Sequence, residues 1–346
     1  MTDNNPVYST PRPNSVCRVL ASFGARIIHK TETEPDQAQP ISSYRLERLL
    51  GRGGMGEVWL ARHKMLGRPA AIKFVRPEAL GNESKTKVLR RFEREAHATA
   101  ALSSPHTINV YDFGTTKDNT FYYAMEFLDG LDLDSLVQRF GPVPAERTVH
   151  FLKQVCLSLA EAHHQGLVHR DIKPANIYAC RVGLDYDFIK VLDFGLVKQP
   201  ESPEQDMTSL TIEGMTMGTP GYIAPEVAMG GRVDARTDLY SLGCVGYWLI
   251  TGHQVFEGIT PLQTVIDHVR TIPLPPSQRT ELEIPEELEK ILLWCLEKDP
   301  ANRPASAQEL ARHLDSIAEE HPWMQDDAHR WWSLNLPASL GQLNRG

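Results

Sequence analysis

The chain has 346 residues, room for one large domain with appendages or for two modest ones at about 150 residues per domain. Hydrophobic residues make up 41% and charged residues 23%, near globular averages, which excludes collagen-like, wholly disordered and membrane-embedded chains. Against 44 Asp and Glu stand 36 Lys and Arg, a net charge of −8, so the chain lacks the broad basic field that non-specific binding to nucleic acid or anionic membrane requires.

The cysteines, Cys17, Cys156, Cys180, Cys244 and Cys295, are scattered, with no C-x-x-C pair. They form neither a disulfide framework nor a zinc knuckle, and a reducing cytoplasmic setting is expected. The longest apolar run, Leu239 to Ile250, falls short of the ~20 residues that span a bilayer, so it is expected as a buried helix and no transmembrane anchor is expected. The N-terminus shows no apolar signal region followed by a small-residue cleavage site.

Residues 1–43 carry prolines at 6, 11, 13, 35 and 40 among polar residues, a composition that buries too little apolar surface to offset chain entropy. A disordered tail is expected there. Within it, Val16 to Lys30 mixes apolar residues with Arg18, Arg26 and Lys30; a solvated tail with one sticky patch is favoured over a short docking helix or a targeting segment. From Tyr44 to Val75 short runs of Val, Ile, Trp and Leu, broken by glycines, predict a meander of antiparallel strands. Helical periodicity covers Lys85 to Leu102, and strand signals return at Ile108 to Phe113 and Thr120 to Phe127. Helices are then predicted over Ala145 to His164, closed by Gly166, and over Asp238 to Ile250, Glu286 to Leu296 and Ala305 to Ile317. No fixed-period repeat is visible, which excludes solenoids and propellers.

Gly51-Arg52-Gly53-Gly54-Met55-Gly56 matches G-x-G-x-x-G, a weak signal alone. A dinucleotide fold needs a helix straight after the glycines and an acidic residue about 20 positions on. Here Glu57-Val58-Trp59-Leu60-Ala61 reads as a strand, and Val58 to Pro77 holds no Asp or Glu. Glu57 also stands where a Walker loop requires Lys. A hairpin whose glycine backbone closes over phosphates remains. In the next strand Lys73 needs an anion to offset its burial. Helical spacing places Glu95 on the apolar stripe with Phe92, Thr99 and Leu102, so a Lys73–Glu95 pair is predicted.

His169-Arg170-Asp171-Ile172-Lys173-Pro174-Ala175-Asn176 and then Asp193-Phe194-Gly195 complete the pattern. With the glycine loop, the A-x-K strand, the helix Glu and Ala224-Pro225-Glu226 in order, about Tyr44 to Ile317 resembles the eukaryotic-like serine/threonine protein kinases in their bacterial form. The resemblance implies an α+β bilobal protein-kinase-like fold, with a small antiparallel β-rich N-lobe holding one main helix and a larger α-helical C-lobe. The corresponding domains are a tail at 1–43, a kinase domain at 44–318 divided at 128/129, and a C-terminal tail at 319–346.

It further implies ATP and Mg²⁺ as cofactors. Leu50, Gly51, Arg52, Gly53, Gly54, Met55, Gly56, Glu57, Val58, Lys73, Glu126 and Leu128 would bind the nucleotide. Asp171 would accept or orient the substrate hydroxyl proton, Lys173 would balance γ-phosphate charge, and Asn176 and Asp193 would ligate the metal. His169 would hold the loop and take no chemical part. Lys173 together with Gly218 to Glu226 resembles serine/threonine rather than tyrosine kinases, with Thr219 touching Asp171 and Lys173. Glu226 with Arg303, and Asp238, resemble the family's structural supports. Protein substrates with Ser/Thr acceptors are implied, as is a transient dimer for autophosphorylation, with Thr211 and Thr216 preferred over Ser202, Thr208 and Ser209 as activating sites. The alternative is a pseudokinase scaffold, against which stand intact Lys73, Asp171, Asn176 and Asp193. Tyr178 to Lys190 is longer than the pattern, with Arg181 to Asp187 expected as an exposed hairpin tip. Pro322 to Pro337 is expected to fold back on the helical lobe.

Overall fold

The structure, a computed structural model, describes residues 41, 43–53, 56–75, 93, 96–116, 120–194 and 220–336. Glu95, Gly54, Met55, Thr219, the segment Val16–Lys30 and the activation-loop hydroxyls up to Thr216 lie outside these residues.

The meander predicted from Tyr44 onward forms β1 (Tyr44–Gly53), β2 (Gly56–His63) and β3 (Pro69–Val75). It is completed by β4 (Val110–Thr115) and β5 (Phe121–Glu126) into an antiparallel sheet of order β1-β2-β3-β5-β4. Alternation decides which side chains face the helical lobe. In β3, Ala71 and Lys73 share one face, while Ala70 and Ile72 pack on the other with Ile41, Tyr44, Tyr122 and Ala124. Ala70 therefore sits in the apolar cluster on the far face, and Ala71 turns toward Val58, Met125 and Leu192.

A second sheet of order β6-β7-β8 comprises β6 (Asp129–Asp132), β7 (Ile177–Val182) and β8 (Asp185–Val191). Around it lie α1 (Leu133–Phe140), α2 (Ala145–His164), the single turn α3 (Pro225–Ala228) and α4 (Ala235–Thr251). The chain continues through α5 (Pro261–Arg270), α6 (Glu286–Cys295), α7 (Ala307–Glu320) and α8 (Gln325–Asn335). The α2 boundaries match the predicted ones, and Gly166 follows with φ of 75°. Helix α4 is apolar nearly all round and buried on every side, as a central helix must be. It begins a turn before the predicted Asp238 because the Asp234 side chain accepts from Arg236 N. A Cβ on Gly246 would lie 2.4 Å from Leu292 Cδ2, so any larger residue would force that leucine side chain to shift between α4 and α6.

The main core gathers Phe151, Leu159, Tyr240, Tyr247 and Leu314 in the helical lobe. A smaller cluster joins the lobes: Val58, Ala71 and Met125 from the five-stranded sheet meet Ile108, Tyr178 and Leu192. Main-chain bonds close the same junction. Ile108 N donates to Val191 O and Val191 N to His106 O, while beside them Glu126 N donates to Asn109 O within the N-lobe.

Candidate active site

The two-residue link from β1 to β2 sits at the end of a ladder in which Arg52 faces Glu57 and Gly53 faces Gly56. Arg52 Nε lies 3.1 Å from Glu57 Oε1, and Trp59 Nε1 donates to Glu57 Oε2. Gly56 has φ of 146°, and a Cβ there would fall 1.9 Å from Phe74 O. The glycine is required by the close packing of β2 on β3. Gly51 and Gly53 complete the described part of this turn.

Beneath it is an apolar cavity lined by Leu50, Val58, Ala71, Ile108, Met125, Glu126, Phe127, Leu128, Tyr178 and Leu192. Leu50, Val58, Glu126 and Leu128 were expected here; Ala71, Ile108, Tyr178 and Leu192 were not. An apolar strand residue carries no mark of which cavity it faces, and only register reveals it. The Glu126 carboxylate points to other work, accepting from Asn109 N and pairing with Lys190 Nζ at 2.7 Å.

Lys73 is paired in register with Val58, so its side chain emerges beside the cavity wall. Its Nζ lies 2.6 Å from Asp193 Oδ2, with the lysine side chain 9% exposed, so the ammonium has the anion its burial demanded. The predicted partner Glu95 lies outside the described residues. Asp193 follows cavity-lining Leu192 and holds φ of 60°, a left-handed conformation that costs a non-glycine residue free energy and is kept where the surroundings enforce it.

Arg170 shares that conformation, with φ of 65°. The loop is held open by Asp238, itself buried, whose carboxylate accepts from His169 N and Arg170 N, each at 2.8 Å, and meets His163 Nε2. Asp238 thus caps the loop as expected. His163 was not anticipated, because a histidine in a helix's last turn reads as an ordinary charge near the dipole. His169 Nε2 lies 2.7 Å from Leu192 O, and its Nδ1 accepts from Asp171 N, tying the loop to the strand before Asp193.

The carboxylate so placed is Asp171, whose Oδ2 lies 2.8 Å from Lys173 Nζ and 3.0 Å from Asn176 Nδ2. Asn176 sits at the end of the 3-10 turn Pro174–Asn176 and also donates to Asp171 O. Its amide nitrogen is thus engaged with Asp171, so the amide oxygen is the atom by which Asn176 could hold a hard cation. Below the loop, Arg303 holds Glu226 through bonds of 2.9 and 2.8 Å, and Thr237 Oγ1 donates to the same carboxylate. Burial pushes the Glu226 carboxyl up, but the bonds and charge of Arg303 outweigh it and hold the group below the ordinary carboxylate range.

A five-stranded sheet over a helical lobe, with Lys73, Asp171, Lys173, Asn176 and Asp193 gathered at the junction, defines the two-lobed protein-kinase fold. The profile of the protein kinase domain matches residues 44–314, and the chain belongs to the protein kinase family, among the eukaryotic-like serine/threonine kinases of bacteria. The chain is 38% identical over 303 residues to the serine/threonine-protein kinase pkn3 of Myxococcus xanthus, covering 87% of this chain and 54% of that one. It is likewise 38% identical over 282 residues to PknB of Mycobacterium leprae, covering 81% of this chain and 43% of the relative. It therefore spans about half the length of the curated relatives it matches. The crystal structure of the Mycobacterium tuberculosis PknI kinase domain superposes with a TM-score of 0.61 at 27% identity, over 82% of this chain and 99% of that one.

Proposed function

We propose that the chain is an ATP-dependent protein kinase that transfers the γ-phosphate to Ser and Thr hydroxyls of proteins. The observation that carries this reading is the convergence of Asp171, Lys173 and Asn176 on one hydrogen-bonded unit, beside the Lys73–Asp193 pair and an apolar cavity shaped by both lobes.

The residues present fit both absent groups. An apolar slot lined along one side by Glu126–Leu128 suits a flat purine, and Asp193 with the Asn176 amide supplies two hard oxygens. Mg²⁺ takes one or two protein oxygens and completes its shell from phosphates and water, so two donors suffice. Bound there, the cation and nucleotide supply the transferable phosphoryl group and neutralise charge developing on its oxygens. Lys73, held in an apolar strand, presents a fixed ammonium to the phosphate chain. Asp171, acceptor-only when ionised, orients a substrate hydroxyl and takes its proton, while Lys173 keeps positive charge beside the transferring group.

Autophosphorylation at Thr211 or Thr216, through a transient dimer, belongs to the same proposal and is supported by Arg170 preceding Asp171. A cytoplasmic site of action belongs to the same proposal, in keeping with Cys156, Cys180, Cys244 and Cys295 being free thiols. Among the described residues no helix is long and apolar enough to cross a membrane.

The test is incubation with γ-labelled ATP and Mg²⁺ beside Asp171→Asn and Lys73→Met, followed by mapping of labelled residues. Label on Ser or Thr in the wild type alone supports the reading. Equal labelling of all forms, or none in the wild type, removes it and leaves the scaffold alternative.

A further inference from the structure

The β7–β8 hairpin was expected to end in an exposed tip. Its turn does, from Arg181 to Asp185, but Asp187 is completely buried. It also holds φ of 55°, the third non-glycine residue in the left-handed region among those described; the other two, Arg170 and Asp193, belong to the active site. Its carboxylate is met by Arg147 and by two indoles of the C-terminal segment, which lies beyond the residues matched by the kinase profile.

The Asp187 carboxylate accepts from Arg147 Nε at 2.8 Å and Nη2 at 2.7 Å, from Trp332 Nε1 at 2.7 Å and from Trp323 Nε1 at 2.9 Å. Arg147 and Asp187 side chains are 1% and 0% exposed, and the Trp331 ring covers the guanidinium at 3.7 Å. The hairpin backbone is gripped as well. Gln325 Oε1 accepts from Tyr186 N and its Nε2 donates to Tyr186 O, while Gln154 takes Ile189 N and donates to Asp187 O. A buried carboxylate stripped of such donors is costly, so this grip depends on the indoles staying docked.

The gripped hairpin begins directly after Asn176 and ends two residues before Asp193, and Leu192 N donates to Asn176 O at 2.9 Å. Its two ends therefore carry the two candidate metal ligands. We propose that the segment Trp323–Trp332, acting through Asp187, is a positioning element for the divalent cation: it fixes the β7–β8 hairpin in the geometry that holds Asn176 and Asp193 together. The inference rests on the phosphotransfer reading above, and it makes metal-dependent nucleotide affinity a property of the C-terminal segment.

Trp332→Phe in the full chain keeps an aromatic ring, a smaller one, and deletes one donor to Asp187. ADP affinity is measured by calorimetry with and without Mg²⁺, together with amide hydrogen exchange over residues 186–193. The expected result is about tenfold weaker binding of ADP with Mg²⁺, the scale of one lost hydrogen bond to a buried charge, with metal-free ADP binding within twofold and faster exchange in β8. Unchanged affinities in the folded variant, or equal weakening with and without Mg²⁺, overturn the proposal and leave the segment a stabilising strap. If Trp332→Phe fails to fold, Gln325→Ala, which loosens the hairpin without stranding a charge, decides on the same readout. A wild type whose ADP binding ignores Mg²⁺ refutes instead the metal role of Asn176 and Asp193.

Discussion

Asp171 is held at one oxygen by both Lys173 and Asn176, which fixes the carboxylate before any substrate arrives. Asp171→Asn keeps the shape and removes the proton acceptor, so kcat should fall by about 10²–10⁴ while KM for ATP moves little, as steady-state kinetics would show. Gly56 bears on the proposed nucleotide site instead. With a Cβ placed 1.9 Å from Phe74 O, Gly56→Ala must push β2 from β3. KM for ATP should rise more than kcat falls, which the same kinetics would separate. At this scale the polar machinery was legible because an ammonium in an apolar strand, or a carboxylate beside an amide in a proline loop, needs a reason. The apolar machinery was not. Ala71 and Ala70 differ in sequence by nothing but parity, and Ile108 and Tyr178 reach the cavity only once two sheets have been packed.

Among elements, the α3 turn and the loop before α7 are locked by Glu226 and Arg303. Arg303→Met leaves a buried carboxylate without its cation and should lower stability by about 3–5 kcal/mol, measured by denaturant unfolding. The Glu226 carboxyl is held below its ordinary value of 4.5, so its contribution is complete above that pH and is lost as pH falls through the depressed folded value. The gap in Tm between wild type and Glu226→Gln should accordingly be widest near neutrality and narrow on acidification below about pH 4.5. Helix positions were readable from apolar spacing, and their ends less so: α4 and α7 start where Asp234 and Ser306 cap them, a local bond that periodicity does not register. The β7–β8 hairpin was legible as a hairpin. Its burial was not, since the partners of Asp187 lie 40, 136 and 145 residues away.

For the molecule as a whole, His268 makes stability acid-sensitive. It is fully buried, and burial first, then the Lys298 charge, lowers its pKa from 6.5 to about 4. A neutral folded histidine that ionises more readily when unfolded contributes its full share above about pH 6.5 and loses it as pH falls toward 4. The loss is about 3 kcal/mol, and His268→Leu should show a shallower decline of unfolding free energy between those pH values while being less stable at pH 7, where Tyr240 loses its partner. The bilobal plan itself was legible from the change in period after Leu131, strands before it and helices after. The junction between the lobes was invisible, because Ile108, Val191 and His106 meet there through main-chain atoms that any residue type supplies. That junction also dictates how the enzyme can move. With the approach to β4 stitched to the end of β8 by a parallel bridge between Thr107 and Val191, sliding of one lobe across the other would break the stitches, whereas rocking about them breaks none. The lobes thus share a line of main-chain bonds running beside the cavity, and a tilt about that line would open the cavity's mouth while its back wall stayed put.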